Sequence, residues 1–418
     1  MPGSPTNLLA LLKNRSLRRF FVAQFQSELG TGAAYVALVL VAYHRLHSGW
    51  AIALVLLADF LPGIALGAVF GALADRVARK HLLVFADLLR AGAFLGLAIT
   101  PSFLGTIALA LLAGVGTAMF RPTLNAAMTG LVSDEQRSWA SALYGASVSI
   151  GLTVGPALTA LVALFGSPAV MLAVNGATFI FSAALLTTVR FGAGARPAAD
   201  SRDDRERGSL WTATVDGARA AAAISGVPMI LLIGATAILA AGLMNVAEPM
   251  LATGPLHAGG SGYSLLVMVY GAAMAAGSLF SARAGSRLTA LRRCYLIGLT
   301  VQGVGMIGSA AAPGLAWAIG SFALTGAANG LLAGPEVRML QELVGERLLG
   351  RAFGLRNTLA NLAFVLAFVS AGAVLAAVGV RAVFALGGAA LLALGLAGWV
   401  GFRPSRFTET APVAAEPA

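Results

Sequence analysis

Mostly apolar runs of about twenty residues alternate with short polar clusters along the whole chain, and none shows the strict alternation of a half-buried strand. The runs predict helices over 18–43, 50–73, 82–100, 105–131, 140–165 and 169–190. Beyond a polar stretch they predict six more, over 226–252, 262–283, 293–311, 314–340, 353–377 and 381–402. At ~1.5 Å per residue, runs of this length cross a hydrocarbon layer ~30 Å thick. Inside such a layer every backbone polar group must bond within its own segment, which leaves helices. The pattern therefore predicts an all-α membrane protein, with twelve transmembrane helices in two pseudo-symmetric six-helix bundles. The expected organisation is an N-terminal cytoplasmic segment 1–17, a bundle 18–190, a cytoplasmic linker 191–225, a bundle 226–402 and a cytoplasmic tail 403–418. "LLKNRSLRRFF" precedes an apolar stretch too long for a secretory signal, so the first helix is read as an uncleaved membrane span.

Composition agrees. Of the 418 residues 58% are hydrophobic and 11% charged, against roughly 25% charged in soluble domains. The net charge of +11 is explained by where the cations stand. Of the 28 Lys+Arg, only Arg45 and Arg381 fall on the outer side, while Arg90, Arg121 and Arg338 lie within helices. The positive-inside rule thus places both termini in the cytoplasm, as expected of a multi-pass protein of a bacterial inner membrane. No nucleic-acid partner is needed to account for the basic balance. "GAGARPAADSRDDRERGSLW" reads as a solvated spacer between the bundles. Cys294 is the single cysteine and the four histidines are scattered, so neither an intrachain disulfide nor a metal site is expected. With no GxxxxGK[ST] loop and no Ser/His/Asp layout on a soluble face, enzyme chemistry, ATP use and a cofactor are not expected.

The two halves echo one another. "LAGVGTAMFRPTLNAAMTGLVSDEQRSWASALYG" ends one helix, crosses a charged loop and starts the next, and "LTGAANGLLAGPEVRMLQELVGERLLGRAFGLR" does the same later. Pro122 corresponds to Pro335. Such a parallel six-plus-six repeat places a site between halves near the midplane in several transporters.

Ionisable residues at helix centre cost ~2.5–3.5 kcal/mol on insertion scales, so each one asks for a partner, a wet cavity or a function. Gln24, Glu28, Thr31 and Tyr35 share one face of the first helix, and Thr117, Arg121 and Asn125 one face of the fourth. Glu28 and Arg121 both stand about ten residues from a cytoplasmic end, hence ~15 Å deep. They are expected to form a titratable ion pair facing a cavity, with Glu28 as proton carrier; a static pair joining two helices is the alternative. Asp59 and Glu248 are further coupling candidates, and Asn245 and Asn361 further cavity candidates. Glu336 and Arg338, near a helix end, are expected to snorkel or pair with a loop. Gly63, Gly67 and Gly71 form one small-residue stripe, and Gly151, Gly155 and Pro156 another; both predict close helix contacts.

"GALADRVARK", from Gly71 to Lys80, resembles the loop motif G-x-L-A-D-R-x-G-R-K of the major facilitator superfamily, with Ala78 in place of a glycine. "GLTVGP" is similar to the fifth-helix motif of that family's antiporters, with Thr159 and Ala160 where a glycine pair often follows. "FRP", "LVSDEQR" and "ERLLGRAFGL" resemble its bacterial drug-efflux branch, which includes macrolide and enterobactin exporters. The resemblance implies a monomeric secondary transporter that exports an amphiphilic or hydrophobic small molecule by alternating access, driven by a proton gradient. An importer or lysophospholipid carrier of the same fold, and a non-transporting scaffold or receptor, are the alternatives.

In the loop motif Gly71, Asp75, Arg76, Arg79 and Lys80 are expected to form a conformational gate. Asp75 falls on the same membrane side as the start of the eleventh helix, whose N-terminal dipole favours a carboxylate by ~0.3–1 kcal/mol. Asp75→Asn is predicted to release this latch and favour the inward-open state, seen as faster labelling of cysteines introduced in the cavity. Unchanged labelling together with an unchanged transport rate would remove the latch.

Overall fold

The computed structural model describes residues 14–163, 167–191, 219–220, 222–283, 285 and 287–401. Most of the expected linker and of the expected N-terminal segment, and all of the expected C-terminal tail, lie outside the described residues. Twelve long helices occur among the described residues: α1 (Arg15–Leu46), α2 (Gly49–Arg76), α3 (Arg79–Ile99), α4 (Phe103–Leu131), α5 (Asp134–Ala163), α6 (Pro168–Thr187), α7 (Val227–Thr253), α8 (Gly259–Ala282), α9 (Leu288–Ala310), α10 (Leu315–Leu343), α11 (Glu346–Val378) and α12 (Val380–Gly401). Eleven of them are long and apolar enough to cross a membrane. The remaining one, α9, has 23 residues and carries Arg292 and Arg293 in its second turn, which lower its mean hydropathy.

The breaks between helices are written in local chemistry. Asn14 accepts from the N–H groups of Ser16 and Leu17 at the start of α1, and Ser48, Ser102 and Ser167 cap α2, α4 and α6 in the same way. One residue, Gly379, separates α11 from α12 at φ 80, a left-handed conformation that only glycine adopts without a Cβ penalty. Prolines interrupt α2, α4, α5, α7 and α10 internally. Apolar side chains remain widely exposed, Ile99 at 84% and Leu104 at 74%, as a lipid-facing surface requires.

The chain divides into two compact units. The first gathers Met1–Ser201 with Glu248–Met268 and Ala371–Ala373, and the second holds the remainder. In the first, α1 packs on α5 and α6, α2 on α4, and α3 on both α4 and α6. In the second, α9 packs on both α10 and α12, the same arrangement of third, fourth and sixth helices. The units also share their tethers. Lys80, at the start of α3, bonds the Thr187 carbonyl at the end of α6, while Arg292, at the start of α9, bonds the Trp399 carbonyl at the end of α12. At the opposite ends, Arg45 bonds the Thr100 carbonyl after α3 and Arg381 bonds the Ala310 and Ala312 carbonyls after α9. In all four cases a cation satisfies orphan carbonyls at the negative end of a helix dipole.

The two glycine stripes differ in fate. A Cβ on Gly151 would collide with the Glu28 carbonyl group, and one on Gly155 or Gly32 with the backbone of the facing helix, so α1 and α5 touch backbone to backbone. Pro156 is buried beside this contact, and Thr159 adds a 2.7 Å hydrogen bond to the Ala33 carbonyl. The packing expected of Gly63, Gly67 and Gly71 is not found: a Cβ at any of them would meet nothing within 4 Å. The glycine that brings α2 and α4 together lies on α4 instead, where Gly114 faces the Asp59 carbonyl and Pro62. In the second unit Gly326 of α10 faces the Tyr270 backbone of α8 in the same way. A GxxxG spacing aligns small residues on a face, but packing decides whether a neighbour arrives there.

Gly155→Leu should therefore destabilise the protein, by at least the ~1–3 kcal/mol of typical overpacking, whereas Gly67→Leu should leave it unchanged. Thermal unfolding of the purified variants in detergent measures both.

Candidate functional site

In the first unit α1 carries the expected polar residues, but burial separates them. Thr31 is exposed and donates to the Ser27 carbonyl at 2.9 Å. Glu28 and Tyr35 are half-buried. Gln24, expected to line the cavity, is only 1% exposed, and its Nε2 finds no hydrogen-bond partner. The correction has a simple cause: α1 is covered by both α5 and α6, so its polar stripe does not lie along one open face.

The carboxylate of Glu28 accepts from the Tyr144 hydroxyl of α5 at 3.5 Å. On α4, Arg121 and Asn125 are exposed one turn apart. The expected Glu28–Arg121 ion pair is not closed; the ion pairs found among the described residues are Asp87–Arg90 and Glu336–Arg356. The fields of Arg121 and Arg90 nevertheless reach both Glu28 and Asp59. Two carboxylates and two guanidiniums thus share one low-dielectric region, where Coulomb interactions act over longer distances than in water. Asp59 is half-buried, on the turn where α2 meets Gly114.

Glu248, just before Pro249 on α7, belongs to the first unit and is 5% exposed. Tyr263 of α8 is fully buried, with its hydroxyl unpartnered, and lies within electrostatic reach of Tyr35 and Glu248. Two residues read separately from the sequence, Tyr35 and Glu248, therefore both lie within electrostatic reach of a tyrosine the sequence reading overlooked.

Asp87 and Arg90 are the larger omission. They stand one turn apart on α3, fully buried and 6% exposed, and pair with each other. The Arg90 guanidinium lies 3.9 Å from the Phe120 ring centroid and 4.2 Å from that of Phe179. Phe120 and Phe179 belong to two different apolar clusters of this unit, so the cation is held at their boundary. A desolvated cation–π contact is worth ~2 kcal/mol. The pair is not fully satisfied, since Asp87 Oδ2 and Arg90 Nε are buried without a hydrogen-bond partner. The signal available in the sequence was the i, i+3 spacing of acid and base inside an apolar run.

In the second unit Glu336 is buried at 7%, not snorkelling as expected. It receives Nε of Arg356 at 2.7 Å and Nη2 at 3.1 Å, a two-pronged pair between α10 and α11. Arg338 does pair with a loop, donating to the Gly285 carbonyl at 3.3 Å. Asn245 and Asn361 are half-buried, and Asn329 of α10 bonds the Tyr270 hydroxyl of α8.

The loop after α2 splits into anchored and open residues. Arg79 donates to the Ala126 carbonyl of α4 at 2.8 Å, and Lys80 is tied to α6. Asp75 and Arg76 are exposed, and Asp75 has no hydrogen bond or ion pair among the described residues.

The family model for the Major Facilitator Superfamily matches residues 20–239 and 229–417. The "Uncharacterized MFS-type transporter YfiS" of Bacillus subtilis (strain 168) is 25% identical over 400 residues, covering 93% of each chain. The "Putative bacilysin exporter BacE" of the same organism is 28% identical over 159 residues, 37% of this chain and 38% of that one. Among solved structures, a bacterial homologue of the human lysosomal transporter Spinster, inward-facing and unoccupied, superposes with TM-score 0.68 at 14% identity, over 94% of this chain and 95% of that one. The nucleoside transporter NupG superposes with TM-score 0.71 at 14% identity, over 93% and 100%. These structural likenesses concern the fold.

Removing one member of the buried α3 pair leaves the other charge uncompensated, so Arg90→Leu should lower stability by about 3–5 kcal/mol. Replacing both, Asp87→Leu with Arg90→Met, should recover most of the loss. Unfolding temperatures of the single and double variants provide the check.

Proposed function

Because the chain belongs to the Major Facilitator Superfamily, and is thus a membrane transporter of that type, we propose that it is a secondary active exporter of the bacterial inner membrane. It works by alternating access between the six-helix halves 18–190 and 226–402, with both termini cytoplasmic and as a monomer. Its substrate is an amphiphilic or hydrophobic small molecule of the drug, antibiotic or siderophore kind. Export is favoured by the partial likeness to BacE.

The observation that carries proton antiport is the Glu28 region. A half-buried carboxylate, touched by one tyrosine hydroxyl and lying in the fields of two arginines, can hold or release a proton without losing a committed partner. Glu28 is the proposed proton carrier and Arg121 its electrostatic counterpart, with Asp59 and Glu248 as secondary proton sites. Thr31, Tyr35, Asn125, Asn245 and Asn361 are the proposed substrate contacts. Asp75 and Arg76 supply the mobile side of the gate, and Arg79 and Lys80 anchor it.

Everted vesicles incubated with a lipophilic fluorescent cation should show uptake that requires an acidic lumen. In Glu28→Gln gradient-driven uptake should fall at least about tenfold, the effect of removing ~1.4 kcal/mol of coupling, while substrate binding persists. Uptake in Glu28→Gln that remains fully proton-dependent would remove Glu28 from the coupling role.

A further inference from the structure

Within the second unit, the end of α8 and the start of α9 border an open cavity of about 480 Å³. Its lining includes Phe280, Arg283, Arg287, Arg293, Cys294 and Ile297. The three arginines are exposed, and no Asp or Glu is among the residues that line the cavity. Neighbouring cations are engaged elsewhere: Arg292 is turned to the Trp399 carbonyl and Arg338 to the Gly285 carbonyl. Arg287 is the N-cap of α9 and provides no side-chain cap, so the first-turn N–H groups add their positive dipole end to the same place.

The rest of the cavity is apolar. Phe280 is 64% exposed and Ile297 45%, and Leu279 beside them 70%. A soluble polyanion would gain nothing from these side chains. A molecule with an anionic head and hydrocarbon tails would use both halves, the head on the arginines at the helix ends and the chains along α8 and α9. Basic pockets between membrane helices on the cytoplasmic side bind anionic headgroups by this combination.

We propose that this cavity is a binding site for an anionic phospholipid of the inner leaflet, with Arg283, Arg287 and Arg293 holding the headgroup phosphate. The proposal rests on the reading above only in placing these helix ends at the cytoplasmic surface; it is independent of transport direction, substrate and coupling.

Cys294 lines the cavity and is the sole cysteine, so it reports on occupancy without any engineered label. The full-length protein is placed in nanodiscs of phosphatidylcholine, with or without phosphatidylglycerol, and the rate of maleimide labelling is measured. Phosphatidylglycerol should slow labelling, and each arginine removed should restore it by about fivefold, from the ~1 kcal/mol that a basic residue near an anionic surface contributes. R283Q/R287Q/R293Q should lose the protection entirely, while R15Q/R18Q, which removes charge from the start of α1, should keep it. Single R287Q gives the same reading if the triple variant does not fold. Three results would each overturn the proposal: no protection in the wild type, equal protection by inorganic phosphate in phosphatidylcholine discs, or protection in R287Q as strong as in the wild type. Because the readout needs no substrate, a failure here is separate from a failure of the export reading.

Discussion

A helix in hydrocarbon cannot borrow a hydrogen bond from water, and this one constraint organises the molecule. It forces the backbone into long helices, and it leaves the carbonyls at each helix end and every intramembrane charge in need of a partner within the chain. The carbonyl demand is met by cations reaching across to a neighbouring helix: Lys80 and Arg292 do this from matching places in the two units, while Arg45 and Arg381 reach equivalent helix ends from different helices. A repeat that is loose in sequence thus keeps the contact made by Lys80 and Arg292. The apolar positions need only remain apolar, but a cation facing a helix C-terminus must stay where the carbonyls are.

The intramembrane charges divide by how fully that demand is met. Arg90 is bound to Asp87 and sandwiched between two rings, and Arg356 grips Glu336 with two nitrogens. Groups satisfied in this way hold helices together and lose stability when altered. Glu28 has a single long contact with Tyr144, and Arg121 is exposed with no partner among the described residues. Charges left with so little fixed structure can change partners during a cycle, and this separates transport candidates from structural pairs.

Much of the fold was legible in the residues because hydropathy over about twenty positions answers directly to the thickness of a membrane. The starts and stops of the helices were legible too, within a few residues, since Ser, Asn and Gly have local roles at caps. The site was less legible. Spacing along one helix tells which side chains share its face, as with Glu28 and Thr31, but not which neighbours cover that face. Gln24 was placed wrongly for that reason, and the α2 glycine stripe was assigned a contact that belongs to Gly114 across from it. Glu336 was misread because its partner Arg356 lies on the next helix, where no local spacing reveals it.

The sequence by itself determined the membrane class, the twelve helices, the two-fold repeat and the bias of cations to one side, because each follows from summed local properties. Only the tertiary structure decided which charges are spent on holding the bundle and which are left open. It closed Asp87 onto Arg90 and Glu336 onto Arg356, left Glu28 apart from Arg121, and set Tyr35 and Glu248 within electrostatic reach of Tyr263. The physical reason is that a charge in a low-dielectric interior is governed by its nearest partners in space, and those partners come from helices far apart in the chain.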